Sequence, residues 1–321
     1  MAFKKEHKYT TSFSLCLAFA VGIGVIGLFS EAATTAYCYA MIELMILAYS
    51  LNIFTGLSGY INFGHIIFYG IGAYTAAVSA SIIASPYVNP FIYVIAGGAF
   101  ASLCALALGF PILRLRGDYF AIATLGVNEA VKVIIINTKS LGEGRGISIF
   151  GLVPAYDIKG LYIFLLTILF AVIITSYIIF KSKFGYGLRA IKADEDVAEV
   201  MGVNTTKYKI LSYAIGAFFA GSAGGVLTLL YAYAFPEYFF IGRTVDMLIA
   251  LVLGGFGTML GPLIGSVIYY MVKDALLIRF PFYHQVIFGV VLIALVRSFP
   301  AGIVGLINRL LLKRGRGVRV E

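Results

Sequence analysis

The sequence is poor in charged residues, which make up only 12% of its 321 positions, whereas hydrophobic residues make up 61%. At a mean hydropathy of +0.96, the chain has more apolar side chains than a soluble domain can bury, and too few charged side chains to cover the surface of such a domain. The composition therefore excludes a soluble domain. It predicts an all-α polytopic membrane protein in which residues 1–321 form a single transmembrane domain within the lipid bilayer.

Cysteine and histidine are also rare, with three residues of each. The cysteines lie in apolar runs without CxxC spacing, so they are most simply small buried hydrophobic residues. His7, His65 and His284 are too far apart in sequence to suggest a metal site. The sequence has no Walker A motif and no recognisable set of nucleophile, base and orienting group. We therefore expect no enzymatic activity, no metal and no cofactor in this chain, and any ATP is bound by partner subunits.

Ten apolar runs approach the length of about 20 residues that one bilayer crossing needs. They lie near residues 12–30, 36–54, 63–84, 90–113, 119–137, 160–180, 209–233, 244–255, 262–278 and 286–299. Three runs are short or interrupted by glycine, so we predict about nine or ten transmembrane segments with short or broken helices. The first run could also be a signal peptide, but its length and the many later spans favour an uncleaved helix.

The net charge of +9 indicates orientation. Basic residues cluster before the first run, after the fourth, after the sixth and in the C-terminal tail, and an even number of crossings separates these clusters. Under the positive-inside rule, ten crossings place both termini and the segment 181–209 in the cytoplasm, with the segment 137–160 outside. Nucleic-acid binding would need a basic face on a soluble domain, so we expect none.

The stretch 52–75 carries five glycines and several uncharged polar groups inside an otherwise apolar region. Glycine lowers helix propensity, and a backbone that is broken at membrane depth must be buried in protein or line a cavity. We therefore predict a broken helix over 62–72 that lines a permeation pathway. The candidate pathway residues are Gly59, Asn62, Phe63, Gly64 and His65, together with Glu43. For His65, hydrogen bonding is favoured over proton transport because no chain of acidic residues and histidines runs beside it.

Charged residues within the apolar runs need partners, because an unpaired charge is costly at membrane depth. Glu43 has no basic residue within one helical turn, so its partner lies on another helix, on another subunit or in water. An interhelical packing role and a pathway role both remain open for it. Sequence spacing and proximity predict three local ion pairs, which are Glu129 with Lys132, Arg116 with Asp118, and Arg243 with Asp246.

Small residues recur at four-residue spacing in two rows. These rows are Gly216, Ala220 and Gly224, and then Gly257, Gly261 and Gly265. Such rows let helices approach closely in lipid. We favour packing within one subunit over a dimer interface.

The segment 181–209 contains a short predicted helix. Asp196 followed by Glu199 forms an acidic capping box, and Gly202 is placed to end the helix in a left-handed conformation. A helix of one or two turns is too short to be stable alone. It therefore lies against the membrane domain or against a partner protein, and spacing alone leaves both open.

Four stretches of the sequence resemble one protein family. They are 52–75, 117–126 (Gly-Asp-Tyr-Phe-Ala-Ile-Ala-Thr-Leu-Gly), 185–209 and 251–262 (Leu-Val-Leu-Gly-Gly-Phe-Gly-Thr-Met-Leu-Gly-Pro). All four are similar to the permease subunits of ABC importers for branched-chain amino acids, in particular the LivM type. The run 141–146 departs from the pattern of that family, and specificity can diverge at such an outer loop.

The resemblance implies an ABC importer permease fold that moves branched-chain amino acids across the bacterial inner membrane by alternating access. The partners that it implies are a homologous second permease subunit, two cytoplasmic ATPase subunits and a periplasmic substrate-binding protein. In the family, the counterpart of 181–209 is the loop that couples the permease to the ATPase. The coupling residues would be Asp196, Val197, Ala198, Glu199, Val200, Met201 and Gly202. Urea or another small amino acid or amide is the alternative cargo, and an ion-coupled secondary transporter is the alternative class.

Overall fold

The computed structural model describes residues 2–83, 89–152, 158–280, 282–283, 286–287, 289–290 and 302–306, and within them the chain is almost entirely helical. The helices are α1 (Ala2–Phe29), α2 (Ala32–Leu51), α3 (Ile66–Ile83), α4 (Phe91–Ile112), α5 (Asp118–Asn137), α6 (Ile158–Lys181), α7 (Lys183–Ala193), α8 (Glu195–Val200), α9 (Thr205–Tyr231), α10 (Gly242–Gly254) and α11 (Gly261–Arg279). Two short strands, β1 (Ile147–Ser148) and β2 (Tyr233–Ala234), complete the regular structure together with three 3-10 turns, Lys139–Leu141, Glu143–Arg145 and Pro236–Phe239, and a π-helical turn at Asn52–Gly56.

Eight helices among the described residues are long and apolar enough to cross a bilayer. They are Tyr9–Phe29 of α1, Ala32–Gly56, which joins α2 to the π-helical turn, and α3, α4, α5, α6, α9 and α11. α10 has 13 residues, so it is about 20 Å long and falls short of a hydrocarbon core of about 30 Å. The predicted run 286–299 falls mostly outside the described residues. The prediction of an all-α polytopic fold with short and broken helices is confirmed.

Glycines hold α3, α4 and α9 together at the centre of the fold. A Cβ added to Gly72 of α3 would lie 2.1 Å from the carbonyl oxygen of Gly221 on α9, and one added to Gly97 of α4 would lie 2.6 Å from the carbonyl oxygen of Gly72. At Gly224 the nearest atom would be the carbonyl oxygen of Tyr69, at 2.0 Å. A side chain does not fit at these crossings, so the backbones touch directly. The small-residue row on α9 therefore packs within the subunit, as predicted.

α10 and α11 form a tight antiparallel hairpin. A Cβ added to Gly265 of α11 would lie 1.8 Å from the carbonyl oxygen of Ala250 on α10, so the second small-residue row also packs within the subunit. The loop 255–260 at the tip of the hairpin contains Gly255 and Gly257 at φ values of 125° and 72°. Residues with a Cβ rarely adopt these values, so glycine is required for this tight reversal.

The strand pair and the segment α7–α8 lie at opposite ends of α6. β1 follows α5, β2 follows α9, and the strands pair antiparallel with Ile147 opposite Ala234 and Ser148 opposite Tyr233. α6 separates β1 from α7 and is long enough to cross the membrane once. A single crossing by α6 would leave β1 and the segment 181–209 on opposite sides of that membrane.

Candidate functional site

The chain breaks between α2 and α3, within the glycine-rich stretch. α2 passes into the π-helical turn at Asn52–Gly56, and helical structure ends at Ser58. Gly59 then takes a φ of 80°, and regular structure resumes only at Ile66. The break therefore covers residues 59–65.

The predicted break over 62–72 is wrong in its second half. Gly70 and Gly72 lie inside the continuous helix α3. A Cβ added to Gly70 would lie 2.5 Å from the ring of Phe239, and one added to Gly72 would meet the backbone of Gly221. These glycines serve close packing, which the low helix propensity of glycine alone does not reveal.

His65 is fully buried within the break and is hydrogen-bonded through both ring nitrogens. Its Nε2 lies 2.8 Å from Ser50 Oγ, and its Nδ1 lies 3.4 Å from the Asn62 amide nitrogen. The Ser50 hydroxyl donates to the carbonyl oxygen of Leu47 at 2.7 Å, so Ser50 Oγ accepts from Nε2 while Nδ1 accepts from Asn62. A neutral imidazole satisfies this arrangement, in agreement with the hydrogen-bonding role predicted for it.

Side chains cap the backbone amides that the break sets free. Asn62 Oδ1 accepts from the amide of Gly64 at 2.9 Å, and Thr124 Oγ1 of α5 accepts from the amide of Phe63 at 3.2 Å. A Cβ added to Gly64 would lie 2.4 Å from the carbonyl oxygen of Thr124. Residues 62–65 are therefore packed against α5 and hydrogen-bonded, with little free space at Gly64.

Glu43 finds its partner on another helix. Its Oε1 accepts from Nη1 of Arg243 on α10 at 2.7 Å and from the Tyr69 hydroxyl on α3 at 2.6 Å. The Arg243 guanidinium also lies over the rings of Tyr69 and Tyr238, at 5.3 and 5.9 Å from their centroids. Because Glu43 is near the middle of the span Ala32–Gly56, this ion pair lies deep in the membrane domain.

The predicted ion pair between Arg243 and Asp246 is wrong. Asp246 Oδ2 instead accepts from Lys273 Nζ on α11 at 2.6 Å, and its Oδ1 accepts from the Tyr269 hydroxyl. The two charges on α10 thus turn to different neighbouring helices, because α2 and α11 each present a charge that needs a partner at membrane depth.

Both interhelical ion pairs line one cavity of about 540 Å³ between α2, α10 and α11. Its charged lining consists of Glu43, Arg243, Asp246 and Lys273, and its apolar lining includes Ala40, Leu44, Leu47, Val245 and Ile249. The side chains of Arg243 and Lys273 are 38% and 42% exposed, so these charges border open space. Of the predicted pathway residues, Glu43 lines this cavity, whereas those in the break do not.

The segment 181–209 contains two helices before α9, of which α7 was not predicted. Ser182 Oγ caps α7 by accepting from the amide of Gly185 at 3.2 Å. Leu188 and Ile191 are buried against the membrane helices, and a Cβ added to Gly185 would lie 2.0 Å from the carbonyl oxygen of Ile179. Close packing on the bundle therefore holds α7, although its glycines disfavour a helix.

The predicted N-terminus of α8 is displaced by two residues. Asp194 Oδ1 accepts from the amide of Val197 at 3.0 Å, so Asp194 is the N-cap and Asp196 lies in the first turn. Asp196 instead forms an ion pair with Arg116 at 2.5 Å, which replaces the pair predicted between Arg116 and Asp118. Both aspartates are compatible with a helix start, and the hydrogen bond to Val197 decides between them.

The end of α8 is as predicted. Gly202 has a φ of 86°. Its amide donates to the carbonyl oxygen of Glu199 at 2.9 Å, and the amide of Val203 donates to the carbonyl oxygen of Ala198 at 3.0 Å. These two hydrogen bonds form a Schellman motif. The other ion pair predicted from spacing, Glu129 with Lys132 on α5, also forms, at 2.8 Å.

One side of α8 is apolar and exposed. Val197, Val200 and Met201 are 58%, 87% and 78% exposed, whereas Ala198 is 3% exposed and packs on the protein. A groove of about 720 Å³ adjoins this surface, lined by Glu199 and by residues within 202–211. We call Val197, Val200 and Met201 the α8 apolar surface.

The first turn of α8 is tied to the membrane helices by a buried ion pair. Glu195 Oε1 accepts from Lys209 Nζ of α9 at 2.6 Å, and Glu195 Oε2 accepts from the Tyr60 hydroxyl in the break. Burial alone would raise the pKa of the Glu195 carboxyl, but the hydrogen bonds from Lys209 and Tyr60 outweigh it and leave this pKa below its usual value. At the end of α7, Lys192 Nζ donates to the carbonyl oxygen of Gly56 at 2.9 Å.

Residues 33–296 match the family whose description is branched-chain amino acid transport system / permease component. The chain belongs to this family. The permease is 29% identical to the high-affinity branched-chain amino acid transport system permease protein LivM of Salmonella typhimurium, over 85% of this chain and 70% of that protein. It is also 29% identical to the corresponding protein LivH of the same organism, over 78% of this chain and 87% of LivH. A probable LivM of Methanocaldococcus jannaschii is 27% identical over 81% of this chain and 89% of its own length. No solved structure matches the chain.

These similarities confirm the family resemblance and its LivM type. The matched region 33–296 contains the break, the cavity between α2, α10 and α11, and both helices of the segment 181–209. The permease is thus a multi-pass membrane protein whose candidate sites all lie within the family region.

Sequence reasoning missed several residues that position these sites. Tyr60, Lys192, Glu195 and Lys209 connect the segment 181–209 with the membrane helices. Lys209 gave one usable signal, because it is a charged residue at the start of a predicted apolar run. Such a residue needs a partner at membrane depth, as Glu43 does.

Proposed function

We propose that this permease is the membrane-spanning subunit of an ABC importer that translocates branched-chain amino acids across the bacterial inner membrane by alternating access. The names of its relatives support this cargo, since LivM and LivH are both named as permeases of a high-affinity branched-chain amino acid transport system. Two separate cytoplasmic ATPase subunits bind and hydrolyse ATP. The permease contributes movement of its helices and no chemical step.

The α8 apolar surface is the observation that carries this proposal. Val200 and Met201 are among the most exposed hydrophobic side chains of the described residues, and they are the last residue and the C-cap of a helix of only 6 residues. An isolated helix of this length is unstable, yet this one is capped at both ends and tied to the bundle by Glu195. Exposed apolar clusters on a structured element mark protein-binding surfaces. We assign this surface to an ATPase subunit, which would receive α8 in a groove.

Two hydrogen bonds connect α8 and α7 directly with the break and with the turn before it. Glu195 holds Tyr60, which lies within the break, and Lys192 holds the carbonyl oxygen of Gly56, which closes the π-helical turn before it. Movement of α7 and α8 by the ATPase would therefore displace the start of the break, at Tyr60, and the π-helical turn that precedes it. The predicted pathway residues in this segment, which would move with α8, are Gly59, Asn62, Phe63, Gly64 and His65.

The remaining partners follow from the relatives and from the charge pattern. Because the chain matches both LivM and LivH, a homologous second permease subunit is expected beside it. A periplasmic binding protein would deliver the amino acid near the β1–β2 pair. The basic residues of the segment 181–209 support a cytoplasmic position for α7 and α8 under the positive-inside rule, and we propose that the N- and C-termini are on the same side.

The experiment compares ATPase binding and uptake in two exposed-site variants. The permease is produced with its second permease subunit, the ATPases and the binding protein, and is reconstituted in proteoliposomes. The double variant Val200→Asp, Met201→Asp should insert normally but lose both co-purifying ATPase and ATP-driven uptake of labelled leucine, because charges replace the apolar contact. The control is Phe150→Asp, which changes an equally exposed residue at the other end of α6 and should retain the ATPase.

The alternatives give different results in the same vesicles. Retention of the ATPase and of uptake by the α8 double variant would contradict the assignment of this surface. Uptake by the permease alone, driven by an ion gradient without ATP, would indicate a secondary transporter. Transport of urea in preference to leucine, isoleucine and valine would assign a different cargo to the same importer architecture.

A further inference from the structure

We propose that the cavity between α2, α10 and α11 is a binding site for the zwitterionic part of an amino acid. The carboxylate of the ligand would bind at Arg243 and its ammonium group at Asp246, while its side chain would lie against Leu44, Leu47 and Ile249. This inference rests on the proposed transport of branched-chain amino acids. It adds the location of a transit site and the groups that recognise the cargo.

The spacing of the two charges fits such a ligand. Arg243 and Asp246 are three residues apart on α10, so their side chains project from neighbouring positions on one helix face, with Cβ atoms roughly 5–6 Å apart. Both side chains line the same cavity. An α-amino acid carries its ammonium and carboxylate groups on one carbon atom, so it can lie in the cavity between the Arg243 guanidinium, which turns toward α2, and the Asp246 carboxylate, which turns toward α11.

Each of the two residues keeps hydrogen-bonding capacity for a ligand. Among the described residues, Arg243 donates to Glu43 and Tyr69 through Nη1, and a guanidinium has further N–H groups on its other nitrogens. Within the part of the chain that the structure describes, each oxygen of Asp246 accepts one hydrogen bond, from Tyr269 or from Lys273, and a carboxylate oxygen can accept two. Glu43 and Lys273 thus orient the two ligand-binding residues and leave part of each free.

The charge balance of the cavity favours a ligand without net charge. Among the described residues, two acidic and two basic side chains line it, so neither a metal cation nor an organic anion would be matched. Urea would need only neutral hydrogen-bonding groups, which do not require charged side chains at a depth where each charge is costly. The apolar lining adds a surface for an aliphatic side chain, and the volume of about 540 Å³ is of the size that small-molecule sites have.

The site should bind its ligand weakly, because its charged side chains are already paired within the protein. A ligand carboxylate shares Arg243 with Glu43, and a ligand ammonium shares Asp246 with Lys273, so binding does not satisfy an isolated charge. A transit site must release what it binds, because a tightly held substrate would slow transport. The arrangement therefore suits passage of the amino acid, with tight capture left to the binding protein.

The experiment uses a cysteine reporter inside the cavity of the full transporter complex. Cys16, Cys38 and Cys104 are replaced, Ile249→Cys is introduced, and its alkylation rate is measured in nanodiscs with leucine, 4-methylpentanoate, 3-methylbutylamine or urea. The two analogues keep the aliphatic chain but lack the ammonium group and the carboxylate, respectively. Leucine should slow alkylation several-fold, and the other three compounds should have no comparable effect at the same concentration.

A charge-neutralised pair tests the assigned residues. Asp246→Asn with Lys273→Gln should weaken protection by leucine about tenfold or more, because a charge-assisted hydrogen bond is lost. The matched control is Glu129→Gln with Lys132→Gln, which removes an ion pair of similar exposure on α5 and should leave protection unchanged. Size-exclusion chromatography of the complexes verifies assembly, and the ligand series on Ile249→Cys tests the proposal even if a charge variant does not assemble.

The two proposals fail in different ways. Equal protection by leucine and 4-methylpentanoate, or no protection by leucine while the same complex takes up leucine with ATP, would overturn the binding site and leave the importer function in place. Failure of the unmodified complex to take up any aliphatic amino acid would instead overturn the proposed function.

Discussion

Lys209 Nζ and Glu195 Oε1 lie 2.6 Å apart and join the first turn of α8 to the start of α9, and the Lys209 side chain is only 3% exposed. A buried ion pair contributes little net stability when both partners are present, but removal of one partner leaves a buried charge without compensation. This ion pair fixes α8 to the membrane helices, although α8 lies in a loop between two spans.

Glu195→Gln should destabilise the permease by about 3 kcal/mol or more, because the Lys209 ammonium then stays buried without its counter-charge. Adding Lys209→Met should restore much of the loss. The control Arg116→Gln removes the exposed pair with Asp196, and exposed pairs contribute little to stability. Thermal unfolding in detergent measures all three. A double variant as unstable as Glu195→Gln alone would contradict this account.

Acid should act on the same ion pair. Because folding lowers the pKa of Glu195, its contribution to stability is present above its unfolded pKa of about 4.3 and is lost as the pH falls through the lower folded value. The melting temperature of the wild type should therefore approach that of Glu195→Gln as the pH falls below about 4. Parallel melting curves down to pH 3 would show that Glu195 does not titrate with a lowered pKa.

Gly202→Val should uncouple ATP hydrolysis from uptake while the protein still inserts. Gly202 has a φ of 86° and no atom would lie within 4 Å of an added Cβ, so the effect is backbone strain of about 1–3 kcal/mol at the end of α8. Gly126→Val is the control, because an added Cβ there also meets no atom and its φ is not positive. The ATPase activity stimulated by the binding protein, compared with leucine uptake, gives the readout. Normal uptake by Gly202→Val would count against a coupling role for this end of α8.

Gly64→Trp should prevent assembly of the permease rather than block an assembled one. A single Cβ at Gly64 would already lie 2.4 Å from the carbonyl oxygen of Thr124, so an indole cannot fit without moving α5. Gly160→Trp is the control, because an added Cβ there meets no atom within 4 Å. Size-exclusion profiles and uptake are measured for both. An assembled but inactive Gly64→Trp complex would favour a route through the break.

Cysteine labels should confirm the orientation of the permease. Ser182 and Tyr156 are the positions that the charge pattern suggests, and Tyr156 lies outside the described residues. Phe150, which precedes it in the same segment and is 87% exposed, provides a described position. In a cysteine-free background, an impermeant reagent should reach Phe150→Cys from the periplasm and Ser182→Cys only from the cytoplasm. Labelling of both from the periplasm would refute this topology.

The sequence predicts spans better than it predicts contacts between them. Each long apolar run specifies a membrane helix by itself, since its backbone hydrogen bonds lie within the run. The partner of Glu43 lies 200 residues away on α10, so spacing rules for one helix assigned Arg243 to Asp246 instead. α7 escaped prediction for a related reason, because its glycines are explained only by contacts with other helices, Gly185 with the backbone of α6 and Gly187 with the ring of Tyr208 on α9.

The glycine contacts at the centre of the fold divide the subunit mechanically. α3, α4 and α9 interlock through Gly72, Gly97 and Gly221, so one cannot slide along another without overlap of backbone atoms. The tip of the α10–α11 hairpin is held by hydrogen bonds from Asn52 to Thr258 and from Tyr49 to Met259, together with one backbone contact, since a Cβ added to Gly257 would lie 2.5 Å from the carbonyl oxygen of Gly56. The ion pair between Arg243 and Glu43 adds a side-chain contact between the hairpin and α2. The centre of the subunit is thus a three-helix block of direct backbone contacts, whereas side chains make most of the contacts between the hairpin and α2, so a transport cycle should displace the hairpin more readily than it separates the block.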